Sequence, residues 1–149
     1  MEPLSPGSSA PRIDGAQGGT RVAIFFKINC PVCQMAAPKF EQLEAAYPGR
    51  TLAIGQDSEA DVAAFADRFG MASVPVRSDL PPYALSDAFG VRVVPTMFLL
   101  DDADTVVDVA ESWDRDGFLR ITRLLAEATD AEFVPLSEEG DGLPAFRPG

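Results

Sequence analysis

The stretch Val22-Ala23-Ile24-Phe25-Phe26-Lys27-Ile28-Asn29-Cys30-Pro31-Val32-Cys33 decides how this chain folds. Its first five residues are apolar without alternation, the pattern of a strand buried on both faces inside a parallel sheet. From Cys30 the period changes: Val32, Met35, Ala36, Phe40, Leu43, Ala46 and Tyr47 recur near helical spacing, and Pro48-Gly49 stops the run. The chain's two cysteines therefore stand three apart at a strand-to-helix junction, a placement suited to reversible thiol–disulfide chemistry. Pro31 suits the first helical turn, where no N–H is needed, and Pro38 should kink the helix.

Other roles for the pair are weaker. A disulfide between residues three apart closes too small a loop to staple a domain. Zinc needs four ligands, and the chain has no histidine to complete the set, so neither metal nor cofactor is expected. The 149 residues suffice for one domain with a real core. A net charge of −11 argues against nucleic acid and against anionic lipid, and no stretch is long enough for a membrane span.

Downstream, Thr51 to Gly55 reads as a second buried strand. Asp57 or Ser58 can cap the next helix, whose stripe is Val62, Ala63, Phe65, Ala66 and Phe69. Val74-Pro75-Val76 suggests a short edge strand, followed by a short helix over Pro82 to Phe89. Met97-Phe98-Leu99-Leu100 is another interior strand, and Asp101-Asp102-Ala103-Asp104 a solvated turn rather than a calcium loop. Thr105 to Ala110 should return antiparallel, before an amphipathic helix over Gly117 to Ala128. This alternation predicts an α/β fold, with helices on both faces of a central mixed sheet.

Residues 1–20 contain three prolines, four glycines and three serines by Gly19, without a basic start or apolar run. They read as a disordered leader and not a secretion signal, which makes cytoplasmic residence the default. An extracytoplasmic (for instance periplasmic) setting is the alternative if a signal or anchor has been removed. Residues 21–130 form the expected domain, and residues 131–149 an acidic, Pro/Gly-rich tail, disordered or ordered on contact.

Taken together, Cys30-Pro31-Val32-Cys33 after the first core strand, Val94-Pro95-Thr96 before a later one, and the closing hairpin and helix resemble the thioredoxin superfamily. Phe89 to Asp101 looks most like its TlpA/ResA branch, whose extra strand-helix segment Met71 to Phe89 could supply. The resemblance implies a thiol-disulfide oxidoreductase with Cys30 as nucleophile and Cys33 as resolving thiol. It implies that Pro95 is a cis-proline lying against the cysteines, with Val94 offering backbone groups to substrate and Asn29 and Pro31 beside it. The implied partners are protein dithiols or disulfides and a redox partner, such as a thioredoxin reductase-type or membrane electron donor, acting with a monomer.

The chain also departs from these relatives. Asn29 stands where thioredoxins usually have tryptophan, Pro31-Val32 where they have Gly-Pro, and Ile24 and Ala36 where family members place acids. Proton handling is therefore not assigned to any residue. Lys27 is either a cation near the thiolate or a solvated strand-end residue; Asn29 either caps the helix or makes the turn; Trp113 reads as a packing residue. The alternatives are a peroxiredoxin- or glutaredoxin-like thiol antioxidant enzyme, or a non-catalytic binding module whose acidic tail engages a basic partner. Lys27 stands where peroxiredoxins usually have threonine, and Asp101-Asp102 where glutaredoxins have two glycines.

Overall fold

The computed structural model describes residues 2–13 and 18–149. In chain order the elements are β1 (Arg21–Phe26), α1 (Pro31–Ala46), β2 (Thr51–Gly55), α2 (Glu59–Phe69), β3 (Val76–Ser78), α3 (Ala84–Phe89), β4 (Thr96–Leu100), β5 (Val106–Glu111), β6 (Trp113–Asp114), α4 (Arg115–Ala128) and β7 (Phe146–Arg147). Five strands form one sheet in the order β3-β2-β1-β4-β5, and β6 pairs with β7 separately.

The unbroken apolar run of β1 has its expected consequence: this strand is central and buried throughout. It lies parallel to β2, with Val22 opposite Thr51, and antiparallel to β4, with Ile24 opposite Met97. The extra strand-helix segment consists of β3, at the sheet edge, and α3. Ser58 rather than Asp57 caps α2, its Oγ accepting from the Asp61 amide at 3.2 Å.

Alternate residues of the sheet feed two cores, because successive strand side chains point to opposite faces. Val22, Ile24 and Phe26 join Phe40 and Leu43 of α1, Phe65 of α2 and Phe118, Ile121 and Leu125 of α4. On the other face, Ala23 and Phe25 meet Phe89, Phe98 and Leu100. Phe89 and Phe98 stand 5.0 Å apart and Phe25 meets Phe98 edge-on, a favourable arrangement of ring quadrupoles.

Residues 2–13 correct the expectation of a disordered leader. The six-residue α3 is too short to cover the second face, and the leader completes it: Ile13 is buried, with Leu4 and Ala10 packed alongside. The Leu4 amide bonds the Phe89 carbonyl at 3.0 Å, and Ser9 bridges to Thr105. Gly90, in the left-handed region at φ 70°, permits the approach, since a Cβ there would meet the Glu2 carbonyl oxygen at 2.0 Å. Residues 14–17 of the expected leader lie outside the described residues.

The tail is likewise folded against the domain. Asp141 reaches Lys39 of α1 at 3.0 Å and Arg115 of α4 at 3.2 Å, and accepts from Ser137 Oγ at 2.6 Å. Its carboxyl is held well below the ordinary carboxylate range, chiefly by the Ser137 hydroxyl, against an opposing effect of burial. The indole N–H of Trp113 donates to the Pro144 carbonyl at 2.7 Å, and its ring packs on Phe118. The acid expected to seek a basic partner thus has two within its own chain.

Candidate active site

The junction between β1 and α1 presents the cysteine pair. Cys30 is itself the N-cap of α1, in extended conformation, with its sulfur accepting the Cys33 amide at 3.2 Å. This corrects the option that Asn29 caps the helix: Asn29 and Pro31 are exposed beside the nucleophile, making the turn and the first helical position. Helix amides left unpaired at an N-terminus are donors without intrahelical acceptors, and a thiolate satisfies them better than a thiol.

The two sulfurs are electrostatically distinct. Both cysteines are free thiols, Cys30 8% exposed and Cys33 1%. Cys30 is lowered from 9.0 to about 6, first by the Cys33 thiol as hydrogen-bond donor; burial opposes this, and the amides of Cys33 and Val32 and the Arg147 cation add to it. Cys33 is pushed far upward by burial and by donating to Cys30, with the Lys27 amide acting the other way. Ile24 and Ala36 are fully buried at the positions where relatives place acids, so neither position supplies a carboxylate to Cys33.

The approach to β4 lies opposite the pair. The Val94–Pro95 peptide is cis, and the Val94 carbonyl oxygen lies 3.4 Å from Cys30 Sγ, accepting from the thiol when it is protonated. Of the six residues expected at the site, Cys30, Cys33, Val94 and Pro95 are thus brought together, with Asn29 and Pro31 on the rim. Lys27 lines a depression with Gln56, Arg92 and Val94. The cation that favours the Cys30 thiolate is Arg147, more than a hundred positions along the chain, and not Lys27.

Three contributors are not assigned to the site by the sequence. Asp57 accepts the Ile28 amide at 2.9 Å, and Gln34 donates to the Ile28 carbonyl at 3.0 Å, so both polar groups of that peptide-flanking residue are tied. Asp57 is visible there only as one of two cap candidates; its true partner lies 29 positions back. Gln34 has no local signal. The third is the 144–149 stretch, which passes Cys30 through Arg147, 3.8 Å from Met35 Sδ.

A mixed sheet carrying a vicinal dithiol at the first helix N-terminus, faced by a cis-proline, is a thioredoxin-like fold with a dithiol site. Residues 12–109 match the AhpC/TSA family, and the chain belongs to it. The thiol-disulfide oxidoreductase ResA of Halalkalibacterium halodurans is 30% identical over 89 residues, covering 57% of this chain and 49% of that protein. The chain thus spans about half the length of this relative.

Solved structures show the same fold. A thiol:disulfide interchange protein DsbE from Chlorobium tepidum superposes with a TM-score of 0.72 at 21% identity, over 84% of this chain and 98% of that one. An exposed lipoprotein thioredoxin from Streptococcus pneumoniae gives 0.61 at 21% identity, over 75% of this chain and 87% of that one. Among the described residues no helix is long and apolar enough to cross a membrane.

Proposed function

We propose that this protein is a dithiol–disulfide oxidoreductase of the TlpA/ResA type, exchanging disulfides with protein substrates. The observation that carries the reading is the division of labour between the sulfurs: Cys30 Sγ caps the helix and accepts the Cys33 amide, which favours its thiolate, while the Cys33 thiol is buried and pushed upward. The thiolate is the attacking species in exchange, and a value near ambient pH favours attack. Similarity to the thiol-disulfide oxidoreductase ResA supports the same chemistry.

Cys30 thiolate attacks one sulfur of a substrate disulfide; a Cys30–substrate bond forms, and the other substrate sulfur departs as thiolate. Cys33 then gives up its proton and attacks Cys30 Sγ, releasing the second substrate thiol and closing the Cys30–Cys33 disulfide. Two electrons pass to the substrate, and run backwards the steps oxidise a dithiol. Val94 and Pro95 form the wall against which the attached substrate lies, and Asn29 and Pro31 the exposed rim. A separate electron donor, membrane-bound or of the thioredoxin reductase type, would restore the dithiol. We take the acting form to be a monomer.

The peroxidase and glutaredoxin readings gain no support from the site, where Lys27 and Asp101-Asp102 stand in place of those families' residues. For location we favour the extracytoplasmic alternative over the cytoplasmic default, on the ground that the pneumococcal structural neighbour is an exposed lipoprotein. Fractionation of cells carrying the native gene tests that placement.

Reduction of insulin disulfides under dithiothreitol tests the reaction. Turnover should vanish in Cys30→Ser, and Cys33→Ser should accumulate a mixed disulfide. Turnover at the parental rate in either variant would sink the two-step exchange.

A further inference from the structure

The stretch Phe146 to Gly149 lies along the domain surface beside the active site. Arg147 pairs with Trp113 and Phe146 with Asp114 in a two-residue antiparallel ladder, and the Arg115 amide bonds the Ala145 carbonyl at 2.9 Å. The Gly149 amide then donates to Ser112 Oγ at 3.0 Å. Ser112 is tied to the cis-proline itself, its amide bonding the Pro95 carbonyl at 2.8 Å.

Gly149 comes to rest on Val94. A Cβ added to it would lie 1.9 Å from the Val94 carbonyl oxygen and 2.7 Å from the carbonyl carbon, so only a glycine fits this close. That same oxygen is the one 3.4 Å from Cys30 Sγ. A substrate cysteine bonded to Cys30 must carry its own main chain through the space around the sulfur and this carbonyl. Part of that space is taken.

The hold on the segment is graded along its length. Its root is held by charge and by hydrogen bonds: Asp141 on Lys39, Arg115 and Ser137, then the Pro144 carbonyl on the Trp113 indole. Its far part, residues 146–149, is solvent-exposed and kept by main-chain pairing, one hydroxyl and the Arg147–Met35 contact. Main-chain pairing at a strand edge does not depend on side chains, so another extended chain can replace it. The root can stay in place while the far part lifts.

We propose that residues 146–149 form a strap across the docking wall at Val94, and that an incoming polypeptide must displace it to reach Cys30. The inference rests on the oxidoreductase reading above and adds a gate to it. A small disulfide, which needs only the sulfur, passes the strap more easily than a polypeptide does. A closed strap multiplies the apparent affinity for a polypeptide by the fraction of molecules that are open, and so lowers it.

Deleting residues 146–149 leaves Pro144 and Asp141, and so keeps both anchors. The measurement is the ratio of kcat/KM for insulin to the second-order rate with dithionitrobenzoate, a small aromatic disulfide, at one pH. Division by the small-probe rate absorbs any effect on Cys30 of losing Arg147. The ratio should rise about tenfold on deletion, mainly through KM. An unchanged or lower ratio overturns the strap, whereas loss of reaction with dithionitrobenzoate in the parent protein would strike at the thiol chemistry instead.

A second readout needs no deletion. In Cys33→Ser trapped as a mixed disulfide with a cysteine-containing decapeptide, the main-chain amides of the Trp113–Arg147 pair should lose about tenfold of their hydrogen-exchange protection. The adduct with thionitrobenzoate should keep it. Equal protection in both adducts would mean that the segment does not move aside.

Discussion

Cys30 Sγ and the Val94 carbonyl oxygen meet at 3.4 Å across 64 positions of sequence, and the contact joins the nucleophile to the wall that faces it. Everything reactive in the molecule is arranged about that contact. The helix α1 supplies the Cys33 amide to the sulfur from one side, the Cys33 thiol lies buried one turn deeper, and the cis peptide presents its carbonyl from the other.

Alkylation of the fully reduced protein by iodoacetamide should therefore be biphasic by residue. Modification of Cys30 should follow a titration centred near pH 6, with the rate rising as the thiolate fraction rises and levelling off above pH about 8. Cys33 should stay unmodified throughout that range because its thiol is buried and raised. Mass mapping that shows Cys33 alkylated first at pH 7 would reverse the assigned roles.

Asp57→Ala should loosen the loop ahead of the nucleophile. It strips the Ile28 amide of its acceptor, at a cost of about 1–3 kcal/mol in urea denaturation. Turnover should fall as well, since Ile28 positions Asn29 and Cys30. Ser58→Ala, next in sequence, should cost a similar stability as a lost helix cap but leave the Cys30 alkylation profile unmoved. Indistinguishable alkylation profiles for the two variants would show that Asp57 does not position the loop.

The tail should respond to acid. Asp141's folded-state value lies below its unfolded one, so its contribution is complete above the ordinary carboxylate range and is lost as pH falls through the folded value. Trp113 fluorescence, which senses the Pro144 contact, should shift red on acidification well below pH about 4. In Asp141→Asn the shift should already be present at pH 7, with about 1–3 kcal/mol lost. An emission spectrum insensitive to both changes would detach Asp141 from the tail's anchorage.

Ile13→Ala measures the leader. A buried isoleucine under the sheet should cost about 2–5 kcal/mol when truncated, whereas one on a disordered leader would cost nothing. Unfolding by guanidinium separates the two outcomes directly.

Elements whose signals are local are legible in the amino-acid order. The unbroken Val22–Phe26 run marks the central strand, the helical spacing after Cys30 marks α1, and the Val76 stretch with its proline falls at the sheet edge. Cys30 and Cys33 are legible because reactivity here needs only a helix start and a spacing of three. Asp57 and Gln34 are not, because each serves a partner on another element and nothing in its immediate neighbours says so.

By itself, then, the order of residues determined the five strands of the main sheet, the helices and the dithiol, since these follow from contacts within a few positions along the chain. Tertiary structure alone decided that the leader would roof the second face, that Asp141 would find Lys39 and Arg115, and that Gly149 would lie on Val94. The physical reason is that the leader and tail carry little periodic pattern of their own. Their conformation is set by where the folded sheet leaves apolar surface uncovered and cations unpaired, which exists only once the chain has closed on itself.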